Sequence, residues 1–445
     1  MSSVASAPRP ASGKKRKLRL AERTGINAGR IGELADAPPA RNVSEESAGT
    51  SEAPAQASEA PVRAASSAKP AATSEAPAAR AGRQWTVTVA LPGSIVDNAQ
   101  THELRSQLVG QVARACAIFN VDEIVVFKTG GDAAPPPNAA YTDRDQRRMQ
   151  KRTPGAIFMA RLLQYLECPQ YLRKHIFPVH PDLRAVGLVA PLDAPHHLRI
   201  EEVCEYREAV VVPPGSAGSR DAAANTAAAV ARSKGDGDGE GDGDGANEEA
   251  SGGATTSSSA YTGLRKEMKI NLELPVGTRV TLKMPAANSS NARSATVVPP
   301  KEPREVLGRY WGFEVRVADG LAAVWSECPH ADGYDLSIGT SEHGSTSLYG
   351  GGRASASAGG DGSGGLALAP FRHALIVFGG VEGLEPAVAA EDELAEECEE
   401  DVASLFDHYL NLCPQQGSRT IRTEEALLVG LAALKPHLES AGDNS

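Results

Sequence analysis

Little of this 445-residue chain is aromatic: three Trp, nine Tyr and eight Phe make up 4% of it. A nucleic-acid surface built from many stacking rings is therefore excluded, and stacking would fall to a few, such as Tyr310, Trp311 and Phe313. The six cysteines (116, 168, 204, 328, 398 and 413) stand far apart with no C-x-x-C pair. That argues against a disulfide framework or a zinc site and fits a reducing compartment. Cys328, His330 and His343 lack the second close pair that would complete a tetrahedral metal set. No apolar run approaches the ~20 residues that span a bilayer, and the N-terminus has no signal-peptide apolar core. Dinucleotide and P-loop fingerprints are absent too, since G-G-V-E-G lacks the G-x-G-x-x-G spacing and no G-K-[ST] occurs.

Charge is unevenly spread. Seven acidic residues fall in 236–249 and eight more in 391–401, with no Lys or Arg in either run. Without these fifteen the formal net charge changes from −11 to +4, so the folded body can still present a basic face to a polyanion. Residues 1–83 are an Ala/Pro/Ser/Glu tail, and 214–259 form an acidic Gly-rich stretch. Neither has the apolar surface to offset about 1–2 kcal/mol per ordered residue, and both are expected to be disordered. The tail carries KKRKLR at 14–19, a basic cluster suited to nuclear import or nucleic-acid contact.

Order is expected from Gln84. WTVTVALP (85–92) reads as a buried strand, 102–118 as a helix with Leu104, Leu108, Val112 and Ala115 on one face, and DEIVVF (122–127) as a second strand. Together they predict a parallel α/β unit. A basic, apolar helical stretch follows over 148–177, started near Pro154 and broken at Pro169, and AVGLVAPL (185–192) reads as a strand. Within 198–318 the alternation changes. EYREAVVV (205–212), 264–274, 277–285, 292–299 and RYWGFEVRVA (309–318) predict five strands of an OB-like barrel. The α/β texture returns from Ala322, with strands at AAVWSEC, YDLSIGT and ALIVFGG. The fold class is thus α/β with a parallel sheet, whose halves 84–197 and 319–440 are split by the barrel.

Three loops follow strands in the last part: GTSEHG (339–344), GGVEGLE (379–385) and CPQQGSRTIRT (413–423). Ligands of open parallel sheets sit beyond the carboxyl ends of strands, so these loops form one candidate pocket. The third has cysteine, five residues, arginine and threonine, the spacing of a cysteine phosphatase. The rest of that chemistry is missing, because the helix starts only at Thr423, read as its N-cap, and Glu424 and Glu425 would repel a phosphate. Cys413 is better read as a small packed residue.

Long strings around these loops, including FMARLLQYLECPQYLRKHIFPVHPDLRAVGLVAPLDAPHH, GYDLSIGTSEHG, VFGGVEGLE and CPQQGSRTIRTEEALLVGLAAL, resemble a eukaryotic–archaeal branch of the SPOUT RNA methyltransferases. The resemblance implies a C-terminal trefoil knot, a homodimer with the pocket at its interface, and S-adenosyl-L-methionine bound in the knot loops. It places Gly339, Thr340 and Ser341 in a first loop on the substrate side, Gly379, Gly380 and Gly383 in a second, and Cys413, Pro414, Gly417, Ile421 and Thr423 in a third. Arg419 or Arg422 would stabilise charge on a nucleobase oxygen, and Glu382 or Glu342 would orient or accept a proton. For the arginines the competing reading is an intrachain ion pair with Glu424, Glu425 or Asp407, and for Glu382 a loop-capping carboxylate. The implied substrate is ribosomal RNA, with N3 of uridine as the leading acceptor, and the implied location is the nucleus, possibly the nucleolus. A protein-arginine methyltransferase using the acidic runs, and a non-catalytic RNA- or spindle-associated scaffold, are the other function classes.

Overall fold

The structure is a computed structural model that describes residues 82–129, 153–215, 256–285, 293–344, 346–348, 366–398 and 401–444. Tail residues 1–81, the acidic run 236–249 and the basic residues 144–152 lie outside these, as do the expectations placed on them. Arg83 is described: its guanidinium grips Asp122 with two bonds of 2.6 and 2.9 Å.

The central strand β1 (Thr86–Pro92) is buried along its whole length. A continuous apolar run behaves this way when a parallel sheet is covered on both faces. Thr101 caps α1 (His102–Ile118) by accepting the Leu104 amide at 3.2 Å, and the chain returns in β2 (Glu123–Phe127), parallel to β1. Leu108, Val112 and Ala115 are buried as the periodicity predicts, but Leu104 is 50% exposed. The helix α2 (Gly155–Glu167) starts after Pro154 and stops before Pro169, followed by the short α3 (Arg173–Ile176). The strand expected at 185–192 is not formed. Val186–Leu188 make a 3₁₀ turn, and Val189 packs where Gly110 of α1 has no side chain. Arg114 donates to the Leu192 carbonyl at 2.6 Å, so this segment is held by side-chain packing and not by a backbone ladder.

Next comes a closed barrel of β3 (Tyr206–Val211), β4 (Thr256–Tyr261), β5 (Met268–Pro275), β6 (Arg279–Lys283) and β7 (Ser294–Val298), in the order β3-β4-β5-β7-β6. Its fifth strand is not the one expected. After α4 (Glu302–Leu307), β8 (Glu314–Ala318) pairs in parallel with β2 in the main sheet, and β4 takes the place in the barrel. The α/β part continues with α5 (Ala322–Ser326), β9 (Leu336–Thr340), β10 (Thr346–Ser347), β11 (His373–Phe378), α6 (Glu385–Ala389), α7 (Asp392–Cys398), β12 (His408–Asn411) and α8 (Thr423–Gly442). AAVWSEC is therefore helix, not strand. Glu391, expected to be part of a solvated acidic run, accepts the otherwise orphaned amides of Leu321 and Ala322 at the start of α5.

The seven strands of the sheet are all parallel, ordered β10-β12-β9-β11-β1-β2-β8. Residues of α1, α2 and α8 share one apolar core, and those of α5, α6 and α7 share the core of the other face. Barrel and sheet are joined by buried charge. Arg279 of β6 donates to both Glu167 oxygens (2.5 and 2.9 Å) and to Glu208 (2.7 Å). Glu208 also accepts from Thr281 and Trp311, at 2.6 and 2.7 Å. Burial alone would raise the Glu167 pKa, but the Arg279 guanidinium outweighs it and holds the carboxyl far below the ordinary range. Removing one partner of such a pair strands a buried charge. Arg279→Met is expected to lower unfolding free energy by about 3–5 kcal/mol, read from urea denaturation monitored by tryptophan fluorescence.

Candidate active site

The strands β12, β9 and β11 are neighbours and run in the same direction, so their carboxyl ends open three loops side by side. The chain leaves β11 and crosses past β9 to form β12, so the winding reverses around β9. Such a reversal is where parallel sheets leave a crevice for ligands. The three loops expected from sequence are therefore brought together.

Close backbone approach sets the local geometry. Gly339 lies inside β9, where an added Cβ would come within 2.5 Å of the Phe406 ring and 2.7 Å of the Tyr409 ring. Asp407 fixes the start of β12 by accepting the Ser337 amide (2.8 Å) and hydroxyl (3.0 Å). In the second loop the amide of Gly380 donates to the Gly383 carbonyl at 2.9 Å, and the Gly383 amide donates back at 3.2 Å. That tight turn needs φ = +82° at Gly383 and leaves no room for a Cβ on Gly379, which would sit 2.4 Å from the Gly383 carbonyl carbon. Val381 and Glu382 project from its tip, exposed.

The side chains of Thr340 and Thr423 serve the scaffold. Thr340 donates to the Val377 carbonyl at 3.1 Å, and Thr423 to the Gly379 carbonyl at 2.9 Å. Thr423 is thus the first residue of α8 and not its N-cap. The cap is Arg422, whose amide donates to Glu425 at 3.0 Å. Asn411 clamps the first loop to the third, donating to the Glu342 carbonyl at 2.7 Å and accepting the Cys413 amide at 3.1 Å. The Gln416 amide group spans the same gap, 3.4 Å from a Glu342 oxygen and 3.4 Å from the Arg419 carbonyl.

The charged candidates stand at the rim. Arg419, Arg422 and Glu382 are exposed, and Arg422 makes a loose ion pair with Glu424 at 3.9 Å, partly as the competing reading expected. Glu342 is 3.6 Å from His343. Pro414 and Gly417 are exposed, and Ser341, Cys413 and Ile421 are half-buried. A shallow depression of about 250 Å³ is lined by Glu342, His343, Asn411, Cys413, Gln415 and Gln416. One residue that sequence reasoning passed over stands out. Tyr409 is 8% exposed, and its buried hydroxyl has no hydrogen-bond partner within 3.5 Å among the described residues, with Ser341 as its polar neighbour. Burial pushes the pKa of this phenol up, so it stays protonated and able to donate. Its signal in the sequence was an aromatic ring on a short strand opposite Gly339, and nothing more.

Residues 86–434, a span that contains all three loops, match the family described as "Putative RNA methyltransferase". The chain belongs to this family. It is 44% identical over 364 residues to the mouse protein named 28S rRNA (uridine-N(3))-methyltransferase, covering 81% of this chain and 79% of that one. The human protein of the same name is also 44% identical over 364 residues, with 81% of each chain covered. The Drosophila melanogaster protein so named is 39% identical over 357 residues, covering 80% of this chain and 62% of that one. Thr423→Val leaves the Gly379 carbonyl unpaired and is expected to cost about 1–3 kcal/mol of stability, with Thr423→Ser retaining most of it. Paired chemical denaturation curves of the two variants check this.

Proposed function

We propose that this chain transfers a methyl group from S-adenosylmethionine to a base of large-subunit ribosomal RNA, with N3 of a uridine as the acceptor. One observation carries the proposal: the family match spans the three loops at the strand ends, in a chain 44% identical to proteins named for that reaction. We further propose that the chain is a SPOUT-class member, that the crossing of the chain around β9 belongs to a trefoil knot, that it acts as a homodimer, and that it works in the nucleus.

The loops suit the cofactor. A Cβ on Gly417 would enter open space, and one on Gly380 would meet only Pro92, at 3.8 Å, so backbone is accessible to a ligand on both loops. The Tyr409 hydroxyl is a buried polar atom whose polar neighbour is Ser341. Backbone around 379–383 and 413–421 would hold the adenosine, with Tyr409 and Ser341 offering hydroxyls beside it. Gly339, Thr340 and Thr423 would contribute by shaping the walls. When bound, S-adenosylmethionine supplies an electrophilic methyl group and departs as S-adenosylhomocysteine, while the acceptor nitrogen gives up its proton.

What the protein adds is alignment and charge control. Glu342, at the rim of the depression, is positioned to take the proton of a weakly acidic imide. As that proton leaves, negative charge spreads to the flanking carbonyl oxygens, and the exposed guanidinium of Arg419 or Arg422 can meet it. Both arginines also attract the RNA backbone at long range. Glu382, at the tip of the second loop, would orient the substrate side. A protein-arginine methyltransferase would need an acidic groove, whereas the loop rim carries two arginines; the comparisons favour neither that reading nor a scaffold.

The test is incorporation of radiolabelled methyl groups from S-adenosylmethionine, offering total RNA and ribosomal proteins separately from matching cells that lack the gene. Label is expected in large-subunit ribosomal RNA, recovered as 3-methyluridine after digestion to nucleosides. Label in protein alone, or none together with no cofactor binding by calorimetry, would refute the proposal.

A further inference from the structure

Among the described non-glycine residues, three have positive φ: Asn120, Asp193 and Gln415. Asn and Asp tolerate the left-handed region because their short polar side chains bond locally. Gln415, at φ = +60°, has no such excuse. Strain of this kind costs on the order of 1–3 kcal/mol and concentrates at functional sites. Gln415 lies on the third loop, two residues before Gly417, and lines the depression between the first and third loops.

That depression has a distinctive chemistry. It is lined by three carboxamides, one carboxylate, one imidazole and one thiol, and by no Lys or Arg. A phosphate would face Glu342 with no Lys or Arg in the lining to offset it, so the lining suits a neutral, hydrogen-bonding group. At about 250 Å³ it falls below the roughly 300–1,000 Å³ of pockets for drug-sized ligands, as a subsite for one flat ring should. Two of the three carboxamides are occupied, Asn411 in the loop clamp and Gln416 across to Glu342. The exposed Gln415 side chain makes no hydrogen bond to the described residues.

We propose that this depression receives the acceptor base and that Gln415 contacts it there, donating its amide N–H to a carbonyl oxygen beside the imide nitrogen. This rests on the uridine reading given above. A donor at that place stabilises the charge that develops on the oxygen as the imide loses its proton. The strained backbone aims a carboxamide that a relaxed glycine loop would lack.

The full-length protein, S-adenosylmethionine and ribosomal RNA carrying the target uridine test this in single-turnover methylation, with Gln415→Gly and Gln415→Glu. Glycine relaxes the backbone at φ = +60°, so the thermal midpoint should hold or rise; glutamate keeps the shape and removes the donor. Both variants are expected to lose roughly 100-fold in methylation rate at saturating S-adenosylmethionine, a loss in the transfer step that weaker cofactor binding alone would not give. Wild-type rates in either variant would overturn the assignment of Gln415 while leaving the uridine reading intact. Absence of 3-methyluridine with the wild-type protein would overturn both.

Discussion

Parallel pairing of β12, β9 and β11 is the constraint on which the site depends. Because the strands share a direction, three loops far apart in sequence open on the same edge of the sheet. Because β9 lies between the other two, its own loop is walled on both sides. Gly339 makes this spacing possible, since the rings of Phe406 and Tyr409 occupy the space of its absent side chain. A larger residue there would push β12 away from β9 and part the first loop from the third. The glycine therefore acts through packing.

The barrel is attached by a different kind of force. Glu167 ends α2, Arg279 and Glu208 lie on barrel strands, and Trp311 precedes β8. Their mutual bonds draw one end of the barrel onto the sheet through a few directional contacts. Gly312, at φ = +90°, lets the chain pass so close that an added Cβ would fall 2.3 Å from a Glu167 oxygen. Arg207 strengthens the same junction by donating to the carbonyls of Thr262, Glu202, Leu198 and Arg199. A buried ion pair contributes little net stability compared with an apolar core, but it tolerates few alternative orientations.

How much of this was legible in sequence depended on where each segment finds its partners. β1, β2, β9 and β11 are continuous apolar runs buried on both faces, so their own residues announce them. β4 is TSSSAY, with a burial pattern that mostly follows its neighbours and not its composition. It becomes a strand because β3 and β5 offer it backbone partners, and no window of its own residues says so. RYWGFEVRVA alternates well enough to suit either sheet, and the choice between them is made by pairing with β2. Helix α5 depends on a carboxylate about 70 residues away for its first amides. In the site, glycine-rich loops were visible as motifs, whereas the roles of Tyr409, Asn411 and Gln415 depend on which backbone atoms lie opposite them.

The third loop, marked in sequence by its cysteine–arginine spacing, is tied to both neighbouring loops. Its backbone is tied to the first loop through Asn411, and the helix behind it is tied to the second loop through Thr423. Neither tie uses a charged side chain; the arginines of the loop stay exposed at the rim and Gln415 lines the depression. A loop built on ionic contacts would have spent these groups on its own fold. The ties through Asn411 and Thr423 are neutral hydrogen bonds, and Arg419 stays exposed, its charge available to an anionic substrate.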